Sequence, residues 1–195
     1  MKSRTLYFGM MVFLLLFSAS LSIAQQSDQQ DAMKKWMEYM TPGTSHMEFA
    51  KMVGNWKTIV TVYDAQSGEQ NKSEGSATYE MVLGGRYLKS TFKGNMTGMP
   101  FEGMGLDGYD NATKDYISIW IDNMGTGIMY MKGKYDDDSK TIVYFGNVVN
   151  PMTGKEEKSK TVFKKTDDDH MLMTSYMFAG EKEVKQMEIK YSRMQ

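Results

Sequence analysis

Cysteine is absent from the 195 residues, which excludes disulfides, thiolate metal sites, a cysteine nucleophile and a lipid anchor on cysteine. Histidine is nearly absent: His46 and His170 are the only two, so any histidine-based metal cluster has to be completed by carboxylates or methionine. Charge of one sign is missing as well. With 23 Lys+Arg against 24 Asp+Glu the net charge is −1, which offers no basic field for nucleic acid. Beyond the extreme N-terminus no apolar run is long enough to span a membrane. A 41% apolar and 24% charged composition is still far from that of disordered chains, and one ordinary domain fits the length. The abundant residue is methionine, 21 in all.

The first segment reads as a targeting sequence. Lys2 and Arg4 form a positive start, Leu6 to Phe17 an apolar run, and Ser22-Ile23-Ala24 a small-x-small pattern ahead of Gln25. Residues 1–24 are therefore expected to be a cleaved secretory signal peptide, sending the protein to the periplasm or medium. The apolar run is short of the ~20 residues that a retained anchor requires, so no membrane span is expected after cleavage. Cleavage leaves 171 residues at a net charge of −3. Without cysteine such an exported chain has to hold together by packing alone.

Residues 25–30 read as a polar linker, followed by a single domain over 31–195. Asp31 can cap a short helix whose Met33, Trp36, Met37 and Met40 form a one-sided apolar stripe, ended by Pro42-Gly43. Ser45 and Glu48 have capping-box spacing for a second helix carrying Phe49, Met52 and Val53. Both are too short to stand alone and are expected to dock. From Trp56 onward the apolar period becomes two, with turn residues about every dozen positions. Strands are expected at about 55–64, 72–82, 85–94, 101–109, 115–122, 126–135, 140–149, 157–166, 170–179 and 183–193. The turns are too short for crossover helices, so consecutive strands must be antiparallel neighbours, and ten of them close on themselves. The expected fold is all-β, a ten-stranded antiparallel up-and-down barrel of the calycin type with short N-terminal helices. Several strands are apolar on both faces, as in Tyr116 to Asp122, where Ile117, Ile119 and Ile121 oppose Tyr116, Ser118 and Trp120. Such a wall predicts an outer cover, either the N-terminal helices or a second copy in a homodimer.

Gly54-Asn55-Trp56 at the start of the first strand and Arg193 at the end of the last resemble the Gly-x-Trp and closing-Arg signature of calycins, the lipocalin-like barrels. The resemblance implies that Arg193 packs over Trp56 and closes one barrel end. The chain is similar more closely to a bacterial family catalogued as domain of unknown function 1579. That likeness rests on Thr41-Pro42-Gly43, Gly54-Asn55-Trp56, Leu83-Gly84-Gly85-Arg86, Phe101-Glu102-Gly103, Gly108-Tyr109-Asp110, Lys114 to Tyr116, Trp120-Ile121-Asp122 and Gly125-Thr126. It covers about residues 41–193 and implies a barrel without assigning catalytic residues.

Several constellations invite chemistry. Leu83-Gly84-Gly85-Arg86 resembles a phosphate cradle, but no helix follows it, and a tight hairpin explains the glycines. Asp107, Asp110 and Asp115 around Asn111 could attract calcium, yet they lack the ligand spacing and closing Glu of a calcium loop. Asp136 to Asp138 and Asp167 to Asp169 read as solvated turns. No serine has the flanks of a nucleophile elbow to pair with His46. The soft-metal candidates are Met96, Met99, His170 and His46: thioethers favour Cu(I), and a single histidine could ligate haem inside a barrel, as the resemblance to nitrobindin-like proteins implies. Packing explains most of the methionines, which fill irregular apolar space well.

The expectation is a non-catalytic barrel without cofactor that holds a small apolar or amphiphilic molecule in a lumen lined by Met, Ile, Tyr and Phe. Arg86, Tyr109, Trp120, Asp122, Tyr130 and Tyr144 are the candidate ligand contacts. The enzyme alternative uses Asp122 or Asp110 as base with Arg86 stabilising an anion.

Overall fold

Strict alternation of apolar and polar side chains lets an extended chain bury one face. The computed structural model describes residues 28–64, 67–96 and 98–195. The expected signal peptide lies outside the described residues. The chain divides into two units, one ending at Thr41 and the other Pro42–Gln195. In the first, residues 28–40 form helix α1, so residues 28–30 are helical where a linker was expected, and Asp31 sits inside the helix instead of capping it. Met33, Trp36 and Met37 of its apolar stripe are exposed, and the Trp36 and Tyr39 rings lie 5.6 Å apart. No helix among the described residues is long and apolar enough to cross a membrane.

The second unit opens with helix α2 (Thr44–Ala50) and continues as ten strands. These are β1 (Gly54–Tyr63), β2 (Gln70–Val82), β3 (Tyr87–Met96), β4 (Met99–Asp110), β5 (Asp115–Asp122), β6 (Met129–Asp136), β7 (Thr141–Val149), β8 (Glu156–Lys165), β9 (His170–Ala179) and β10 (Lys182–Arg193). Each strand pairs antiparallel with its sequence neighbours, and β1 pairs with β10, Trp56 opposite Arg193, to close the barrel. The expected strands all form. The largest shift is at β6, which starts at Met129 because residues 123–128 make a loop that leaves Ile128 exposed. A bulge between Lys185 and Met187 bends β10 against β9.

Helix α2 lies against β2, β3 and β4 at the barrel end where β1 begins. Its cap differs from the Ser45/Glu48 box. The Gly43 carbonyl accepts from the His46 and Met47 amides, and the Gly43 amide donates to His46 Nδ1 at 3.0 Å. Ser45 is used otherwise, taking a 3.2 Å hydrogen bond from the Tyr116 hydroxyl. Phe49 and Met52 are buried and turn inward, so α2 stoppers this end, and the doubly apolar wall of β4 to β7 has no cover from it. Met104, Ile121, Tyr130 and Phe145 on the outer face of that wall stay exposed.

The stoppered end is locked by the signature residues. Trp56 is fully buried and donates from Nε1 to the Met52 carbonyl at 2.9 Å. The Arg193 guanidinium stands 4.2 Å from the Trp56 ring centre and donates to the carbonyls of Val53 at 2.7 Å, Lys51 at 2.9 Å and Asp168 at 3.0 Å. Gly54 is required on two counts: its φ is +132°, and a Cβ there would sit 2.8 Å from Arg193 Nη1.

Candidate functional site

Inward-facing residues of the strands do not fill the barrel. A cavity of about 500 Å³ runs from the stopper helix to the opposite end. Its wall is built by simple parity. In β5 the inward set is Ser118, Trp120 and Asp122; in β6 it is Met129 and Met131; in β7, Tyr144 and Val148; and in β9, Met173, Ser175 and Met177. Inward glycines make the room. A Cβ on Gly103 would lie 2.2 Å from the Trp120 indole, and one on Gly133 would lie 2.8 Å from the Tyr144 ring. Trp120 thus lies flat along β4, stacked on Phe101 at 6.5 Å between ring centres and 14° between planes. Eight of the lining residues are methionines, among them Met52, Met96, Met129 and Met187. Unbranched thioethers give a lining that adapts to the shape of its contents.

Two acidic stations interrupt this lining, which elsewhere carries neutral polar side chains such as Ser90, Asn95, Ser159, Thr161 and Gln186. At the mouth, Asp122 accepts a hydrogen bond from Trp120 Nε1 at 2.8 Å and from the Met124 amide at 2.9 Å, which fixes the indole edge. Near the stoppered end Asp107 of β4 faces the lumen opposite Ser118 of β5 and is hydrogen-bonded to its hydroxyl. Tyr79, Tyr144 and Tyr191 surround it and are buried. Burial pushes the Asp107 carboxyl up to about 6, partly offset by the Ser118 hydrogen bond. The same desolvation raises the Tyr144 phenol well above its ordinary value, does so for Tyr79 with help from neighbouring Tyr191, and brings Tyr191 to about 12. The Tyr79 and Tyr191 hydroxyls are hydrogen-bonded to each other. The floor therefore offers neutral phenols and one carboxyl that titrates near neutrality.

Of the six expected ligand contacts, Trp120, Asp122 and Tyr144 line the lumen. Tyr109 faces the stopper instead, 4.9 Å from the Tyr116 ring and edge-on to His46 at 5.9 Å. Tyr130 is on the outer wall, exposed, because Met129 and Met131 take the inward parity of β6. Arg86 is exposed in the β2–β3 turn, with Nη1 on the Leu83 carbonyl at 3.2 Å. That turn lies at the stoppered end and Asp122 at the mouth, so the Arg86–Asp122 juxtaposition that would favour the enzyme alternative does not form. Asp110 accepts from the Ala112 amide in its turn and is not beside the lumen either.

The soft-metal candidates are dispersed. His46 is buried in the stopper and spends Nδ1 on Gly43; burial lowers its pKa, while a hydrogen bond to the Tyr109 backbone works the other way. His170 is outside, held by Asp167 at 2.9 Å. Neither lines the lumen, so neither can ligate haem there. Met96 lines the lumen near the mouth, and Met99, its partner across the β3–β4 hairpin, is exposed. Among the described residues no group of three or more His, Asp or Glu side chains could hold a metal. The three aspartates considered for calcium also diverge: Asp107 points inward, Asp110 closes a turn, and Asp115 pairs with Lys134 at 2.7 Å.

Asp107, Ser118, Tyr79 and Tyr191 are among the lumen residues that sequence reasoning missed. Asp107 was legible: it shares inward parity on β4 with Phe101, Gly103 and Gly105.

This geometry agrees with the comparisons. The chain belongs to the family described as protein of unknown function DUF1579, which matches residues 41–193. Among curated proteins nothing matches. Among solved structures the chain is similar to the S-type phycobiliprotein lyase CPES of Guillardia theta, at 9% identity, 82% of this chain, 96% of that one and a TM-score of 0.56. At that identity the likeness shows a shared calycin-like barrel fold. A redesigned β-barrel also matches, at 14% identity, 75% of this chain, 95% of the other and a TM-score of 0.39.

Proposed function

We propose that this DUF1579 barrel is an exported, non-catalytic carrier or sensor that holds a small, largely apolar molecule in its lumen. The observation that carries this is the cavity itself: about 500 Å³, lined mostly by methionine and aromatic side chains, with its carboxylates confined to two stations and only neutral polar side chains elsewhere. Cavities of ~300–1,000 Å³ with such a lining are typical of small-molecule sites. The N-terminal Lys2, Arg4 and apolar run support export to a bacterial periplasm or medium. The enzyme built on Arg86 lacks its anion-stabilising partner in the lumen and is set aside. A homodimer through the outer wall of β4 to β7 would cover Met104, Ile121, Tyr130 and Phe145.

Native mass spectrometry of protein purified from its source should retain a small molecule, and an environment-sensitive apolar dye should bind and be displaced by extracted lipids. A protein that emerges empty and excludes every apolar dye would end this proposal. Light scattering at micromolar concentration separately checks the dimer, which a monomeric mass would remove.

A further inference from the structure

The lumen has a charge asymmetry. Its described lining contains two carboxylates, Asp107 and Asp122, and neither lysine, arginine nor histidine. The lysines lie on the outer face, for example Lys160 with Glu183 and Lys134 with Asp115. A barrel that holds a fatty acid or a phosphate head inside needs a cation or a dense set of donors there, since an anion buried without a partner is costly. Here the lining offers only neutral donors, such as Ser90, Ser159, Thr161, Ser175 and Gln186, and at the floor such a head would meet the Asp107 carboxylate.

The floor is built for the opposite charge. Asp107 receives one hydroxyl, from Ser118, while a carboxylate can accept several hydrogen bonds. The phenols of Tyr79 and Tyr191 are engaged with each other. Around the carboxylate stand the rings of Tyr79, Tyr144 and Tyr191, whose faces attract cations. From Ser118 beside the floor to Asp122 at the mouth is four residues of one strand, a span of ~13 Å at the usual rise of about 3.3 Å per residue. An apolar body fits along that span between the stations.

We propose that the lumen selects an amphiphile carrying a cationic amine, docked with its ammonium on Asp107 and its apolar body along the methionine lining, and rejects carboxylate and phosphate amphiphiles. This rests on the ligand-binding reading and deepens it. The ammonium replaces bulk water as the partner of a buried carboxylate, an exchange that a neutral head matches only in part and an anionic head reverses.

Binding is coupled to pH through Asp107. The groups facing it are Ser118 from β5, Tyr79 from β2, Tyr144 from β7, Tyr191 from β10 and the apolar Leu88 from β3, with Phe49 and Met52 from the stopper side. His46 and Arg86 stand outside the lumen lining. The phenols stay neutral through the physiological range, so Asp107 is the floor group that changes charge near pH 6.

The test uses decylamine, decanol and decanoate with the purified protein in calorimetric titrations at pH 7.5. Decylamine should bind at least tenfold more tightly than decanol, and decanoate most weakly. Lowering the pH from 7.5 to 5 should weaken decylamine about tenfold, as one carboxylate is protonated. Asp107→Asn should remove the amine's advantage over decanol; the wild-type pH profile tests the same point should that variant not fold. Decanoate binding as tightly as decylamine, or a flat pH profile for the amine, overturns the selectivity while leaving lumen binding intact. Failure of all three probes to bind overturns both.

Discussion

The Arg193 guanidinium rests on the Trp56 ring at 4.2 Å and donates to the carbonyls of Lys51 and Val53, which joins the last strand to the segment linking the stopper helix to the first. Closure of the barrel and placement of α2 are therefore one structural event. Arg193→Met keeps much of the packing and deletes three hydrogen bonds to backbone carbonyls. At about 1 kcal/mol each, the variant should lose ~2–3 kcal/mol in urea unfolding. A loss within experimental scatter would mean that strand pairing alone closes the end.

One buried polar atom works against the fold. Thr58 is fully buried on β1, and its hydroxyl has no hydrogen-bond partner among the described residues. Thr58→Val is close to isosteric and removes the desolvation cost, so stability should rise by about 1 kcal/mol. A lower urea midpoint in the valine variant would contradict this.

The lumen's shape depends on a missing side chain. A Cβ on Gly103 would fall 2.2 Å from the Trp120 indole, closer than any relaxed contact, so the ring must move. Gly103→Val should cost about 1–3 kcal/mol through overpacking, abolish dye binding and shift the Trp120 emission. Retention of full dye affinity by a folded variant would show that the indole does not shape the cavity.

Most of the barrel was legible because its cause is local. Period-two alternation and short turns act within a few residues, and the ten strands follow from them, while the Trp56–Arg193 lock is what the resemblance to calycins implied. The site was less legible, because facing depends on parity and on which end of the barrel a turn occupies. Tyr130 and Met131 are neighbours of similar bulk, and one position decides which of them reaches the lumen. Arg86 and Asp122 looked like a pair as residue types, yet the alternation of hairpins puts them at opposite ends. Asp107 drew attention as a calcium ligand beside Asp110, although its inward phase on β4 marks it as a lumen residue. The Ser45/Glu48 cap had correct spacing and was outcompeted by His46, whose ring reaches back to the Gly43 amide.

The stopper should respond to acid through that contact. Accepting the Gly43 N–H requires an unprotonated Nδ1, and burial lowers the His46 pKa below its ordinary 6.5. A histidine whose folded pKa is depressed stabilises the fold above its unfolded value and loses that contribution as the pH falls through the folded one. The protection of the α2 amides, as exchange relative to the intrinsic rate at each pH, should therefore fall on acidification below about pH 6.5, ahead of global unfolding. Identical α2 protection at pH 5 and pH 7.5 would contradict this.

Asp107 carries the opposite sign. Its folded pKa of about 6 lies above the ordinary 3.8, so between those values the folded state holds a proton that the unfolded chain has released. Stability is then greatest below the lower value and declines as the pH rises toward the higher, after which the loss is complete. A shift of about two units corresponds to at most ~3 kcal/mol. Asp107→Asn has no such proton to lose, so its advantage over the wild type should be small at pH 4 and grow to a plateau above pH 7 in urea unfolding followed by circular dichroism. Parallel profiles for the two proteins would mean that the Asp107 carboxyl is solvated in the lumen, and the amine selectivity would lose its physical basis.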